Sequence, residues 1–568
     1  MTSREVPPVR DGAGFAGGAR SSRTGEDMNP TSGHTGAFDE ILEQVRTGVL
    51  TRREAMARFA ALGVGATAAG IGLRSSLRSA NAQDATPKPG GILKVGLQAD
   101  PTALDPQLQS LTAIWKVVEH IYGRLTRIAP DLSVVPELAE SWEISDDALT
   151  YTFKLRQGVM FHPPLERELV AADVKFSFER LVDPATASTS AADLASMASV
   201  EAPDPYTVVL TLNQPDASLL TVLAGQSCIV FAKETIDEFG DLSQNAVGTG
   251  PFMFEEYVPN TRVTLVKNPT YWEEGLPYLD GMELIPVSED TSRTTAVVTG
   301  TVDFIEYAPL RDITILEEDD SLTIAGDANT NIRFIGFNLE REPFGNPLVR
   351  QAIAKVVERD AMIAAAVDGR GTATEILFPA EFWASLQQPV TAPDVEGAKA
   401  LMTEAGFPDG FSTTITSWSA YSFLSNAAVV VQEQLKQIGI EAELNLVENA
   451  TMITEVYTEK TYDIAVTGTS GYIDPNGVIQ DFMTGASGNF VNYSNPEVDE
   501  LITQGIAVTD QAARAEIYQQ IQALLLADLP WINLFIANQY EAMKSYVMGY
   551  THIATGSNIE LRNVWLDK

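Results

Sequence analysis

The chain has 568 residues, 45% hydrophobic and 20% charged, with a formal net charge of −38; that length exceeds what one hydrophobic core serves and calls for several domains. The first 82 residues hold 10 Arg and 8 acidic residues, so −40 falls on the remainder. Charge of that sign and size is repelled by phosphate backbones and anionic lipid, which argues against nucleic-acid binding.

Residues 1–50 open the chain as a leader, rich in Gly, Ser and Arg up to residue 37 and without apolar periodicity there, the composition of a disordered segment. Residues 51–82 have three parts: Arg52-Arg53, the apolar run Phe59–Leu73, and Ala80-Asn81-Ala82 before Gln83. Positive start, apolar middle and small-x-small end are an export signal. The arginine pair resembles a twin-arginine signal, with Ala55 where that motif usually has Phe. No Cys stands at the cleavage site, so an N-terminal lipid anchor is not expected. No later segment has 18 consecutive apolar residues.

Gly91–Leu97 reads as a first strand, and Ile114, Val117, Val118, Ile121 and Leu125 have helical spacing over Ile114–Ile128. Leu149–Leu155 and Tyr206–Leu212 alternate as half-buried strands. Between them, Ala172–Leu181 is a predicted helix with Asp173 as N-cap. Residues 136–246 therefore read as a compact α+β unit. Val247–Pro251 joins Gly248, Gly250 and a proline, which suits a crossing between domains. Asn331–Leu339 is a strongly apolar strand. Asn346-Pro347, Asp394, Asn495-Pro496 and Asp510 all open helices. Helices alternating with strands over about 330–535 indicate an α/β domain.

One stretch looks like a ligand loop. Tyr462–Thr467 is a short apolar strand that breaks into Gly468, Gly471, Tyr472, Asp474, Pro475 and Gly477. A buried strand whose C-terminal end opens into such a loop is where open α/β sheets bind ligands. The same residue types also make an ordinary turn.

Motifs for catalysis are missing. The four His are scattered, and no H-E-x-x-H, C-x-x-C or EF-hand spacing occurs. Gly468-Thr469-Ser470-Gly471 is one residue short of G-x-S-x-G. His162 reads as structural, and the lone Cys228, inside the apolar run Ser227–Phe231, reads as a buried small hydrophobe. Neither a metal site nor a cofactor is expected, and the chain does not read as an enzyme.

Six ordered segments resemble a known family. Leu138–His162 with Ala171–Leu181, Leu104–Gln107, Gly248–Leu284, Ile335–Met362, Ala398–Phe407 and Asn492–Ile502 are similar to the extracytoplasmic solute-binding proteins of ABC importers, in the peptide/nickel family 5. His162-Pro163-Pro164-Leu165-Glu166 departs from the family's usual turn there. The resemblance implies an α/β, two-lobe, three-domain periplasmic binding protein of type II, class C-like. Domain I would comprise 88–135, 247–328 and 536–568, domain II the inserted 136–246, and domain III 329–535. Hinges would lie at Val247, Gly248, Gly250 and Arg333. Ligand would bind between the lobes of a monomer, which closes and is read by a membrane permease outside the cytoplasm.

The resemblance also bears on the ligand. In the family's peptide receptors an Asp in the loop that follows the strand matching Tyr462–Thr467 grips the peptide ammonium. Aligned on Tyr472 and Asp474-Pro475, that Asp falls on Gly471, and an ammonium buried without a counter-charge is costly. The choice stays open between a peptide and another polar solute such as a sugar, an opine-like solute or a chelate. A sensory receptor not coupled to import, and less readily an exported hydrolase, are the alternatives. Trp383, Trp418 and Tyr421 are the aromatic candidates for the cleft, with core packing as the alternative role of each. Asp474 either replaces the missing carboxylate or shapes the loop.

Overall fold

The computed structural model describes residues 86–568 apart from 110, 244, 381, 420 and 470. The expected leader over 1–50 and export signal over 51–82 lie outside the described residues. Among the described residues no helix is long and apolar enough to cross a membrane.

Two long strands organise the molecule. Leu322–Phe337 and Trp531–Lys544 run antiparallel, from Leu322 beside Lys544 to Gly336 beside Trp531. At one end they join strands Ile464–Gly468, Phe411–Trp418 and Ile440–Val447. At the other they join Phe304–Ile305, Ile92–Leu97, Gly281–Pro286, Arg262–Lys267 and Phe252–Val258. One 11-stranded mixed sheet thus passes through both ends, with Gly371–Ala373 added beside Trp531–Lys544. Apolar clusters cover it separately: Val95, Leu265, Phe304 and Leu561 share one, Ile335, Ile353, Val431 and Ile532 another. A separate four-stranded antiparallel sheet is built from Ala139–Ile144, Thr150–Leu155, Thr207–Leu212 and Met197–Asp204. It packs on helix Ala171–Val182 through Phe153, Val174, Phe178 and Leu210.

The capping residues do what their chemistry allows. Asn346, Asp394, Asn495 and Asp510 each accept a backbone N–H from the first turn of the helix they precede. Three local expectations change. The helix expected over Ile114–Ile128 ends at Val118, and Thr126–Ile128 is a strand. Gly123 lies between: a Cβ there would sit 2.9 Å from Leu138 and Thr249, so the chain turns away in close contact. Asp173 is not the N-cap. It stands three residues inside, accepts the Val170 N–H at 2.9 Å, and pairs with Arg167. The helix expected from Asn346 to about Val367 is two, Pro347–Val356 and Arg359–Val367, broken at an extended Val357.

The Val247–Gly250 crossing is embedded. A Cβ on Gly248 would lie 2.0 Å from the Ile121 carbonyl oxygen, and one on Gly250 2.5 Å from that of His120. His162 clamps the same segment. The Gly248 N–H donates to its Nδ1 at 3.3 Å, and its Nε2 lies 3.0 Å from the Gly250 carbonyl oxygen. Those partners select the neutral tautomer with hydrogen on Nε2, and burial lowers the imidazole pKa to about 4. Cys228 is fully buried in the core beneath the four-stranded sheet, its thiol pushed up to about 12 by burial.

Candidate functional site

Strand Ile464–Gly468 lies between Leu322–Phe337, antiparallel to it, and Phe411–Trp418, parallel to it, and ends at Gly468. There Gly468 lies in register with Arg333. A Cβ at Gly468 would stand 2.7 Å from the Arg333 Nη1, so the glycine makes room for the guanidinium. Arg333 is only 8% exposed. Its Nη1 donates to the Thr469 carbonyl at 3.4 Å, its guanidinium lies 4.8 Å from the centre of the Phe423 ring, and its Nε has no partner. No carboxylate pairs with it among the described residues. Burial without a counter-charge lowers its pKa from 12.5 to about 10.

Arg333 lines a cavity of about 510 Å³. Trp418, Tyr421 and Gly471 line it too. Trp418 is fixed by its Nε1, which donates to Thr467 Oγ1 at 3.0 Å, while its ring meets Tyr421 edge-on at 5.7 Å. Tyr421 is 41% exposed. Across from these stand Trp115, Gln226, Tyr307 and Thr555. A second cavity of about 390 Å³ adjoins the first through Trp115, Gln226, Gly471 and Thr555, and adds Arg124 and Asp193. The walls thus come from distant parts of the chain, so a molecule held here touches both.

Trp418, Tyr421 and Gly471 of the six candidates share one cavity. Trp383 lines a different one, about 670 Å³, with Phe378, Phe382, Thr330 and His552. There it meets Tyr518 edge-on at 6.1 Å, with the Arg514 guanidinium 5.3 Å from its ring centre. Tyr472 lines none of these cavities; it packs beside Gly477 with its hydroxyl pKa raised by burial. Asp474 is committed elsewhere: both carboxylate oxygens accept from Arg514 at 2.8 Å, and one also takes the Asn476 N–H at 3.0 Å. With its charge matched by Arg514, Asp474 shapes the loop and has none left for a ligand ammonium. A further cavity of about 440 Å³, around Trp531, Asn533 and Leu525, contains none of the candidates.

Sequence reasoning placed Arg333 only at a hinge and passed over Trp115, Gln226 and Asp193. The signal for Arg333 was present: it is the single charge in Asn331–Leu339. Nothing local marks the other three, which the fold brings to the cleft from distant segments.

Comparison with known proteins agrees over most of the chain. Residues 133–490 match the family model described as bacterial extracellular solute-binding proteins, family 5 Middle. The glutathione-binding protein GsiB of Escherichia coli K12 is 29% identical over 462 residues, 79% of this chain and 90% of that one. The periplasmic binding protein AgaA of A. tumefaciens R10, solved in complex with agropinic acid, is 30% identical with a TM-score of 0.71, covering 84% of this chain and 99% of its own. DppA of Helicobacter pylori, an ABC-transporter-associated periplasmic binding protein solved with the peptide STSA, is 28% identical with a TM-score of 0.71, covering 85% and 99%.

Proposed function

The chain belongs to the bacterial extracellular solute-binding proteins of family 5, and from that premise we propose that it captures a small acidic solute whose carboxylate docks on Arg333. The single observation that carries this reading is a buried guanidinium, open to the cleft, with no carboxylate beside it. A cation so placed costs several kcal/mol, and an incoming anion offsets that cost. Charge-assisted hydrogen bonds from the fork of an arginine are the strong kind. Trp418 and Tyr421 flank the same space and offer ring faces to the rest of the solute. The relatives' ligands fit this chemistry: one is an acid by name, and glutathione and STSA are peptides ending in a carboxylate.

The solute lies between one wall formed by domain III, 329–535, and another formed by domain I, 88–135, 247–328 and 536–568, with the inserted 136–246. Contacts to both walls favour a closed form, by hinge movement at the two long strands, which carry the crossings into and out of 329–535. A monomer outside the cytoplasm then delivers the solute to a membrane permease. Binding is the whole of the activity, with no bond made or broken.

The test is mass spectrometry of solute released from protein purified without refolding. An acidic solute is expected. A retained solute with no acidic group would overturn the reading.

A further inference from the structure

We propose that Tyr457 is a positioning residue for the cleft: through the Thr467 hydroxyl it holds the Trp418 indole at the wall of the cavity that Arg333 lines. This rests on the reading of that cavity as the solute site and deepens it, because Tyr457 itself is not among the lining residues.

Thr467 stands on strand Ile464–Gly468 and is fully buried. Two side chains from distant segments meet at its hydroxyl. Trp418, the last residue of strand Phe411–Trp418, donates its Nε1–H to Thr467 Oγ1 at 3.0 Å. The Tyr457 hydroxyl lies 2.9 Å from the same atom. The Thr467 hydroxyl has no other partner among the described residues. A hydroxyl has one hydrogen to give and two lone pairs, and an indole N–H only donates. Trp418 therefore takes a lone pair, and the Thr467 hydrogen is matched only where it goes to the Tyr457 oxygen. The order is Trp418 to Thr467 to Tyr457. A hydroxyl that donates is polarised into a better acceptor, so Tyr457 strengthens the bond that fixes the indole.

The backbone beneath Tyr457 is unusual too. Ile453–Thr458 is a π-helix, and the Glu459 N–H donates to the Thr454 carbonyl, five residues back, at 2.8 Å. Such turns are rare and occur frequently at functional sites. This one presents the Tyr457 ring to Phe490 at 4.9 Å and to Trp418 at 6.4 Å. Core packing accounts for the Phe490 contact. It gives no reason for the hydroxyl to meet the one threonine that holds a cavity residue. Without the Thr467 bond only ring contacts restrain the indole, and other rotamers compete. A solute then has to order the ring as it binds, which lowers affinity.

The experiment reads the indole itself. In NMR spectra of the isotope-labelled full chain, Trp418→Phe assigns the Trp418 indole N–H resonance. Its hydrogen exchange should be slow in wild type, about five- to tenfold faster in Tyr457→Phe, and faster in Thr467→Val. Thr467→Ser keeps the hydroxyl and should keep the protection. The binding probe is benzoate, a carboxylate joined to one ring. It should shift the Trp418 resonance of wild type and of Thr467→Ser at the same concentration. Tyr457→Phe should need about three- to fivefold more for half the shift, and Arg333→Met should show none. Exchange indifferent to Tyr457→Phe overturns the relay. Faster exchange with unchanged benzoate affinity overturns the positioning role and leaves Tyr457 a packing residue. A Trp418 resonance that benzoate leaves unmoved, or a shift that survives Arg333→Met, overturns the reading of the cavity instead, and the exchange rates still decide whether the relay exists.

Discussion

Replacing Arg333 by Met should weaken binding while leaving the empty protein no less stable. The guanidinium makes no ion pair, has two long hydrogen bonds from Nη1 to the Ile332 and Thr469 carbonyls and an unpartnered Nε, and keeps one ring contact with Phe423. Burial lowers its pKa from 12.5 to about 10. At 1.36 kcal/mol per unit, that shift means the charged form costs the fold about 3 kcal/mol. Because the folded pKa of this base is depressed, the cost is full at neutral pH and fades only as pH rises through 10. Methionine removes the cost and gives up a cation–π contact of about 1 kcal/mol. The unliganded variant should therefore melt at or above the wild-type temperature. With ligand, it lacks a charge-assisted bond of about 1.5–3 kcal/mol, which is roughly a 10- to 150-fold rise in Kd. Calorimetric titration with the co-purified solute, and melting with and without it, read both quantities. A lower melting temperature with unchanged affinity would refute the reasoning and leave Arg333 a purely structural residue.

Three further outcomes follow from the same region. Asp474→Ala strands Arg514, which is buried and otherwise bonded only to Gly505 and Tyr518; denaturant titration should show a loss of about 3–5 kcal/mol, and a loss under 1 kcal/mol would mean the pair is not what holds the loop. Gly471→Asp should not improve capture of free peptides, because its Cβ meets Asn331 and Thr330 below 3.0 Å; overpacking of that kind costs about 1–3 kcal/mol, and a gain in affinity by titration calorimetry counts against it. Asp481, whose carboxyl burial pushes from 3.8 up to about 6, is stabilising to remove only where it would be charged. Its folded pKa is raised, so stability falls as pH climbs from 3.8 through 6; Asp481→Asn should add up to about 3 kcal/mol at pH 8 and little at pH 4, and equal effects at both pH values would exclude titration as the cause.

What was legible in the sequence was local. Asn346, Asp394, Asn495 and Asp510 cap helices because a short polar side chain before a periodic run has few other uses. Tyr151, Phe153 and Leu155 alternate because one face of their strand is buried. The failures are of reach. Asn331–Leu339 showed as a strand, yet the ladder starts at Leu322, since its first rungs are made with Asn538–Lys544. Trp383 and Trp418 looked equivalent, but the fold gives them different cavities. The absence of a carboxylate at Gly471 was readable from the alignment of the loop. That Asn331 and Thr330 fill the space was not, and neither was the approach of Asp193 from a distant segment.

Arg333 lies between these cases and shows what a sequence offers when a residue breaks the rule of its element. A strand of Asn-Ile-Arg-Phe-Ile-Gly-Phe buried on both sides has no reason of packing to hold a guanidinium. A structural arginine has its donors matched, by a carboxylate as Asp474 matches Arg514 or by backbone carbonyls as those of Phe344 and Asp528 match Arg350; Arg333 has only two long bonds from Nη1 and an unpartnered Nε. Arg514 and Arg333 are buried to nearly the same degree, 5% and 8% exposed. They differ in that Arg514 has its anion within the protein, while Arg333 faces a cavity large enough to admit one. On that contrast rests the proposal that Arg514 holds the loop and Arg333 receives the solute.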